Sequence, residues 1–234
     1  MNVFRTGLLL LLAAGAPIAG CARAERPPTG QEAPMGSDMN DKAVLAAVEA
    51  ADPDFGRLAG QHPHKVVPLD APFLQQTRLV RLDVLTPRKP LFAHYAITDG
   101  AARRVTGDPA AFDAAVAADP GEITDAGAAL ALVAARVEAT RPAGTRRALV
   151  QGREALPWLP KPDEAAQAKK AEIEQKLGAA QPTVSASEEG GFVVEGWVLD
   201  GRDLVWTRFT VAADGAVTAS EGDRLAALPF TYVR

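Results

Sequence analysis

The chain has 234 residues, 47% hydrophobic and 23% charged, with a formal net charge of -4 from 25 basic and 29 acidic residues. These proportions exclude a wholly disordered chain and suffice for one domain of moderate size or two small ones. Neither sign is gathered into a long block, which argues against nucleic acid as a partner.

At the N-terminus Arg5 precedes the apolar run Leu8 to Leu12, Ala13 and Ala14, which breaks at Gly15, Ala16 and Pro17. A basic residue, a short apolar stretch and small residues make a signal peptide pattern. The run is shorter than the ~20 apolar residues that a membrane span needs. Then comes Ile18-Ala19-Gly20-Cys21, which resembles the lipobox of bacterial lipoproteins: a branched apolar residue, two small ones and the cysteine. The resemblance implies cleavage before Cys21, lipid attachment to its thiol, and a membrane as the first partner. It also implies an extracytoplasmic place in the cell envelope. Ala22 is not Asp, so in a Gram-negative organism the address would be the periplasmic face of the outer membrane. Cys21 is the only cysteine, so no internal disulfide is available and stability must come from an ordinary core.

Residues 21–40 are Pro-, Gly-, Glu- and Ser-rich without apolar periodicity and read as a tether. The domain is expected over residues 41–234. A first helix is predicted over Asp41 to Ala51, with Val44, Leu45, Val48 and Ala51 on one face, stopped by Asp52-Pro53. After a loop through His62-Pro63-His64, strands are predicted at Lys65 to Leu69, Arg78 to Leu85 and Leu91 to Thr98. Asp99-Gly100 turns the last into Ala101 to Thr106.

Asp108-Pro109 opens a short helix, and Thr124 or Asp125 caps a longer Ala-rich one that ends at Arg141-Pro142. A connector follows around Leu149 to Trp158. A charged helix ending at Gly178 has only Ile173 and Leu177 as an apolar stripe and is expected on the surface. A meander closes the chain, with strands at Gly191 to Leu199, Leu204 to Ala212 and Ala216 to Ser220. The fold class is therefore α+β, an antiparallel sheet with helices packed on it. A helix followed by antiparallel strands resembles the cystatin-like or PepSY-like arrangement, in architecture rather than motif. Asp99-Gly100 and Asp214-Gly215 are each followed at the same interval by Gly-Asp, Gly107-Asp108 and Gly222-Asp223. The match raises the alternative of two related halves, about 41–120 and 121–234.

Residue types that carry catalysis are scarce. The chain has three histidines, His62, His64 and His94, and lacks the signatures of serine hydrolases, zincins and P-loop proteins. No cofactor motif is present. His62 and His64 offer two imidazoles across a stiff proline, with Asp70 or Asp54 as a third ligand, but the spacing is not diagnostic of a metal site. His94 sits mid-strand beside Tyr95, so alternation turns one inward and the other outward. Glu188-Glu189 reads as a solvated turn rather than a glycosidase pair.

The last meander holds the best candidate binding face. Phe192, Val194 and Val198 share a core side with Val205, Phe209 and Val211. The opposite face carries Val193, Glu195, Trp197 and Leu199, met across the hairpin by Leu204, Trp206 and Arg208. If the connection is a four-residue loop over Asp200 to Asp203, Trp197 stands opposite Trp206 and Glu195 opposite Arg208; a two-residue loop moves these pairs to diagonals, and either register keeps them on one face. Aromatics beside an arginine are the residue types that anchor interfaces. The competing expectation is that the charged helix or the rest of the domain covers this face and buries both rings. The sequence therefore points to a binding or assembly lipoprotein of the envelope, with a protein or small molecule as partner. The alternatives are an envelope hydrolase using Asp, Glu and His, and an inhibitor or immunity lipoprotein.

Overall fold

The computed structural model describes residues 40–231. The expected signal peptide, the lipobox with Cys21 and nearly all of the tether lie outside the described residues.

Helix α1 (Asp41–Ala51) starts where predicted: the Asn40 side chain accepts from the Ala43 N–H at 3.0 Å, and Val44, Ala47 and Val48 are buried. Asp52 does more than end it. Its carboxylate also caps a second helix, α2 (Pro53–Gln61), accepting from the Phe55 N–H, with Pro53 at the first helical position. The segment expected as loop is thus helical, because an Asp-Pro pair starts a helix as well as it stops one. Gly56 lets α2 cross close over Glu49, where a Cβ would collide with backbone.

Strands β1 (His64–Pro68), β2 (Thr77–Leu85), β3 (Pro90–Thr98) and β4 (Ala101–Arg104) form an antiparallel sheet in chain order. Val80, Leu82 and Val84 alternate as predicted and, with Ala93, Tyr95 and Ile97, pack against α1 and α2. The second sheet is built from β5 (Arg147–Leu149), β7 (Phe192–Asp200), β8 (Asp203–Val211) and β9 (Val217–Leu225) in that order. Strand β6 (Thr183–Ala186) also pairs with β7. β5 and β6 escaped prediction because three or four residues are too few to show a period.

Helices α3 (Pro109–Ala117) and α4 (Ala126–Ala139) lie between the sheets. One core cluster joins Leu79 and Ala96 of the first sheet, Phe112, Leu132 and Val133 of the helices, and Val194, Val198, Phe209 and Val211 of the second. Each fully buried Leu or Phe contributes on the order of 1.5–3 kcal/mol. Helix α5 (Glu164–Leu177) is mostly exposed, as its charge predicts. Its buried Ile173 and Leu177 cover one end of the second sheet's outer face, with Leu199, Leu204, Leu228 and Phe230.

The architecture is α+β in five layers rather than one sheet with helices on it. Both sheets run helix pair, short strand, then a nine-residue hairpin and a last strand, with α5 and β6 inserted only in the second. Asp99-Gly100 and Asp214-Gly215 occupy equivalent turns, β3 to β4 and β8 to β9. The second half of the sequence match has no counterpart in the fold: Gly107-Asp108 leads into α3, whereas Gly222-Asp223 lies inside β9. No helix among the described residues is long and apolar enough to cross a membrane.

Asp119 ties the first sheet to the middle helices. Its buried carboxylate accepts from the backbone N–H groups of Gln75, Gln76, Thr77 and Gly121 at 2.7 to 3.0 Å. Burial by itself would raise this carboxyl, but the four donors outweigh it and hold the group below the ordinary carboxylate range.

Candidate functional site

The β7–β8 hairpin has the register that sets Trp197 against Trp206 and Glu195 against Arg208, with Gly201 and Arg202 at the turn. The indoles meet edge to face with centroids 5.4 Å apart, a geometry that adds ~0.5–1.5 kcal/mol beyond area burial. Arg208 donates to Glu195 at 3.2 Å. Both tryptophans are half-buried, Glu195 is half-buried and Arg208 is exposed. The face is therefore neither open throughout nor covered throughout. Leu204 drops out of it: it is 0% exposed in the cluster with Ile173 and Leu177, because α5 and the Leu228–Phe230 segment lie over that end. Trp197 also leans on this cluster, which leaves Trp206 and the Glu195–Arg208 pair as the open part. Next to it, β9 is exposed on both faces from Thr218 to Arg224, and it ends the sheet among the described residues.

The third tryptophan, Trp158, belongs to the same edge of the core and was not singled out by sequence. Its ring meets Phe230 at 4.8 Å, and Lys170 of α5 lies 5.5 Å from its centroid.

His64 Nδ1 lies 3.2 Å from the carbonyl oxygen of His62, and no group of three His, Cys, Asp or Glu able to hold a metal occurs among the described residues. Of the carboxylates expected as third ligands, Asp54 forms an exposed pair with Arg57 at 3.4 Å and Asp70 lines a cleft against α4. That cleft, about 450 Å³, is walled by Val67, Leu69, Leu130 and Ala134, with Asp70 and Glu138 on it. His62 borders a shallow hollow of about 440 Å³ with Leu58, Arg88, Lys89 and Leu91. Glu188 and Glu189 are exposed in the turn before β7, as expected.

His94 and Tyr95 correct the one-in, one-out expectation: they are 1% and 0% exposed, because the first sheet is covered on both faces. Tyr95 donates to Asp52 at 3.0 Å, and burial and the Asp52 carboxylate push its phenol up. His94 has no such partner. Both ring nitrogens are buried without a hydrogen bond, and burial, with Arg141 and Arg81 nearby, lowers the imidazole to about 3. Around it stand Phe92, whose ring meets the imidazole at 5.5 Å, and Arg81, directly opposite in register. Arg81 is held by Asp83 at 2.9 and 3.1 Å and by Glu138 at 3.3 Å. Periodicity could place Arg81 and His94 on one face. It carried no sign that α4 would bring Glu138 and Arg141 onto them.

No protein-family model, curated protein or solved structure matches the chain.

Proposed function

We propose that the protein is a membrane-tethered binding module of the bacterial cell envelope, anchored by a lipid on Cys21 and engaging a protein partner through the open end of the β7–β8 hairpin. The observation that supports this reading best is the half-exposed Trp206, stacked on Trp197 and flanked by the Glu195–Arg208 pair. Rigid amphipathic rings beside an arginine supply contact area at little entropic cost. The signal-peptide pattern and lipobox support the anchor. A tether of about twenty residues would keep the domain within reach of partners at one membrane surface.

Two measurements test the reading. Cys21→Ala abolishes acylation and releases the protein from the membrane fraction; retained acylation and membrane association would refute the anchor. Full-length protein captures a partner from envelope extracts, and Trp206→Ala loses it. Equal capture by the variant would refute the aromatic face.

A further inference from the structure

The face of the first sheet turned toward α4 holds an arginine without a hydrogen-bond acceptor. Arg141, just after the end of α4, lies over the Phe92 ring with its guanidinium carbon 4.1 Å from the centroid. Its side chain makes no hydrogen bond or ion pair among the described residues, and its Nε is buried without an acceptor. Burial lowers its pKa, the nearby Glu138 and Asp83 oppose that, and Arg81 and Arg146 add like charge. Two carboxylates stand nearby, Asp83 and Glu138, and both hydrogen-bond Arg81 instead. Asp83 and Glu138 are thus spent on Arg81, and Arg141 is left without an acceptor at a half-buried place. A desolvated guanidinium without an acceptor is costly, and folds normally pair it.

The second observation is independent of charge. His94, its ring 5.5 Å from that of Phe92, is 1% exposed, with one N–H and one ring lone pair both unspent. Buried polar atoms are nearly always satisfied, so an imidazole with both nitrogens unspent near an arginine whose buried Nε lacks an acceptor points to an absent partner with acceptor oxygens. Arginine's planar fork matches the oxygens of a carboxylate or phosphate, which it can hold through two parallel hydrogen bonds.

We propose that this corner binds a small oxyanion, a carboxylate or phosphate group, held by Arg141 and Arg146 beside the Phe92–His94 pair. The site is separate from the aromatic hairpin and stands or falls without it. Bound there, the anion completes the charge balance at the junction between α4 and the first sheet.

The test uses full-length, detergent-solubilised protein labelled with 15N-histidine, titrated with inorganic phosphate and, separately, with succinate. Either anion shifts the His94 ring resonances saturably while those of His62 and His64 stay in place, and the tighter of the two identifies the oxyanion class. Arg141→Gln weakens the binding at least tenfold. Arg57→Gln, an exposed arginine paired with Asp54, leaves it unchanged. If Arg141→Gln fails to fold, Arg146→Gln takes its place and weakens binding at least threefold. A His94 signal that neither anion moves, or an affinity the arginine variants leave intact, overturns the proposal.

Discussion

The two nine-residue hairpins, β2–β3 and β7–β8, carry comparable cross-strand pairs and meet opposite fates. Arg81 faces His94 in one; Glu195 faces Arg208 and Trp197 faces Trp206 in the other. On β7–β8 the face is left partly open, so its charges form a water-exposed ion pair and its rings stay accessible. On β2–β3 the middle helices close over the face. The arginine then draws in Asp83 and Glu138, and the histidine is stripped of water and left without a partner. Local pairing is the same kind of event in both; the layer above decides whether it becomes a surface or a buried charge cluster.

The largest expected effect breaks the closed region. Asp119→Ala orphans four backbone donors at ~1 kcal/mol or more each, and should cost about 3–4 kcal/mol in urea unfolding at neutral pH. An effect below about 1 kcal/mol would mean that water replaces the carboxylate and that the junction is open.

Acid separates the two hairpins next. His94 stays neutral in the folded protein down to about pH 3, while the unfolded chain takes up its proton near pH 6.5. Folded His94 thus binds fewer protons than unfolded His94, so its contribution is intact above pH 6.5 and declines as pH falls toward 3. The slope is ~1.4 kcal/mol per pH unit, about 2 kcal/mol lost by pH 5 relative to a group that does not titrate. His94→Phe removes that slope; an unchanged acid profile in the variant would show His94 to be solvated.

Smaller effects probe the open hairpin. Trp206→Ala should cost about 1 kcal/mol, since it removes an edge-to-face partner from a half-buried position. A cost of 3 kcal/mol or more in thermal unfolding would place the ring in the core and remove it from the binding face. Smallest of all, Arg208→Gln breaks an exposed ion pair and should change stability by less than ~0.5 kcal/mol. A larger loss would show that the pair is structural.

Much of this was legible from residues one element at a time. The Asn40 and Asp125 caps, the alternation of Val80, Leu82 and Val84, and the Asp-Gly turns are all local. The shared face of Trp197 and Trp206 was local too, but their direct pairing was not, because it depends on the turn that joins the strands. Helix α2 also has a local signal, since an Asp-Pro pair starts a helix as well as it stops one; stacking has none, and it is stacking that covers Leu204 and buries both Tyr95 and His94.

The sequence alone determined the α+β class, most helices and strands, and the shared face of Trp197, Trp206, Glu195 and Arg208 on the β7–β8 hairpin. Helical and strand periods, caps and turns act over a few residues and leave their mark in order along the chain. The tertiary structure decided that there are two sheets, that α3 and α4 lie between them, and that Glu138 and Arg141 meet Arg81 and His94 across more than forty positions. Those contacts follow from which apolar faces bury one another, and a face pattern says that it needs a cover without saying which element supplies it.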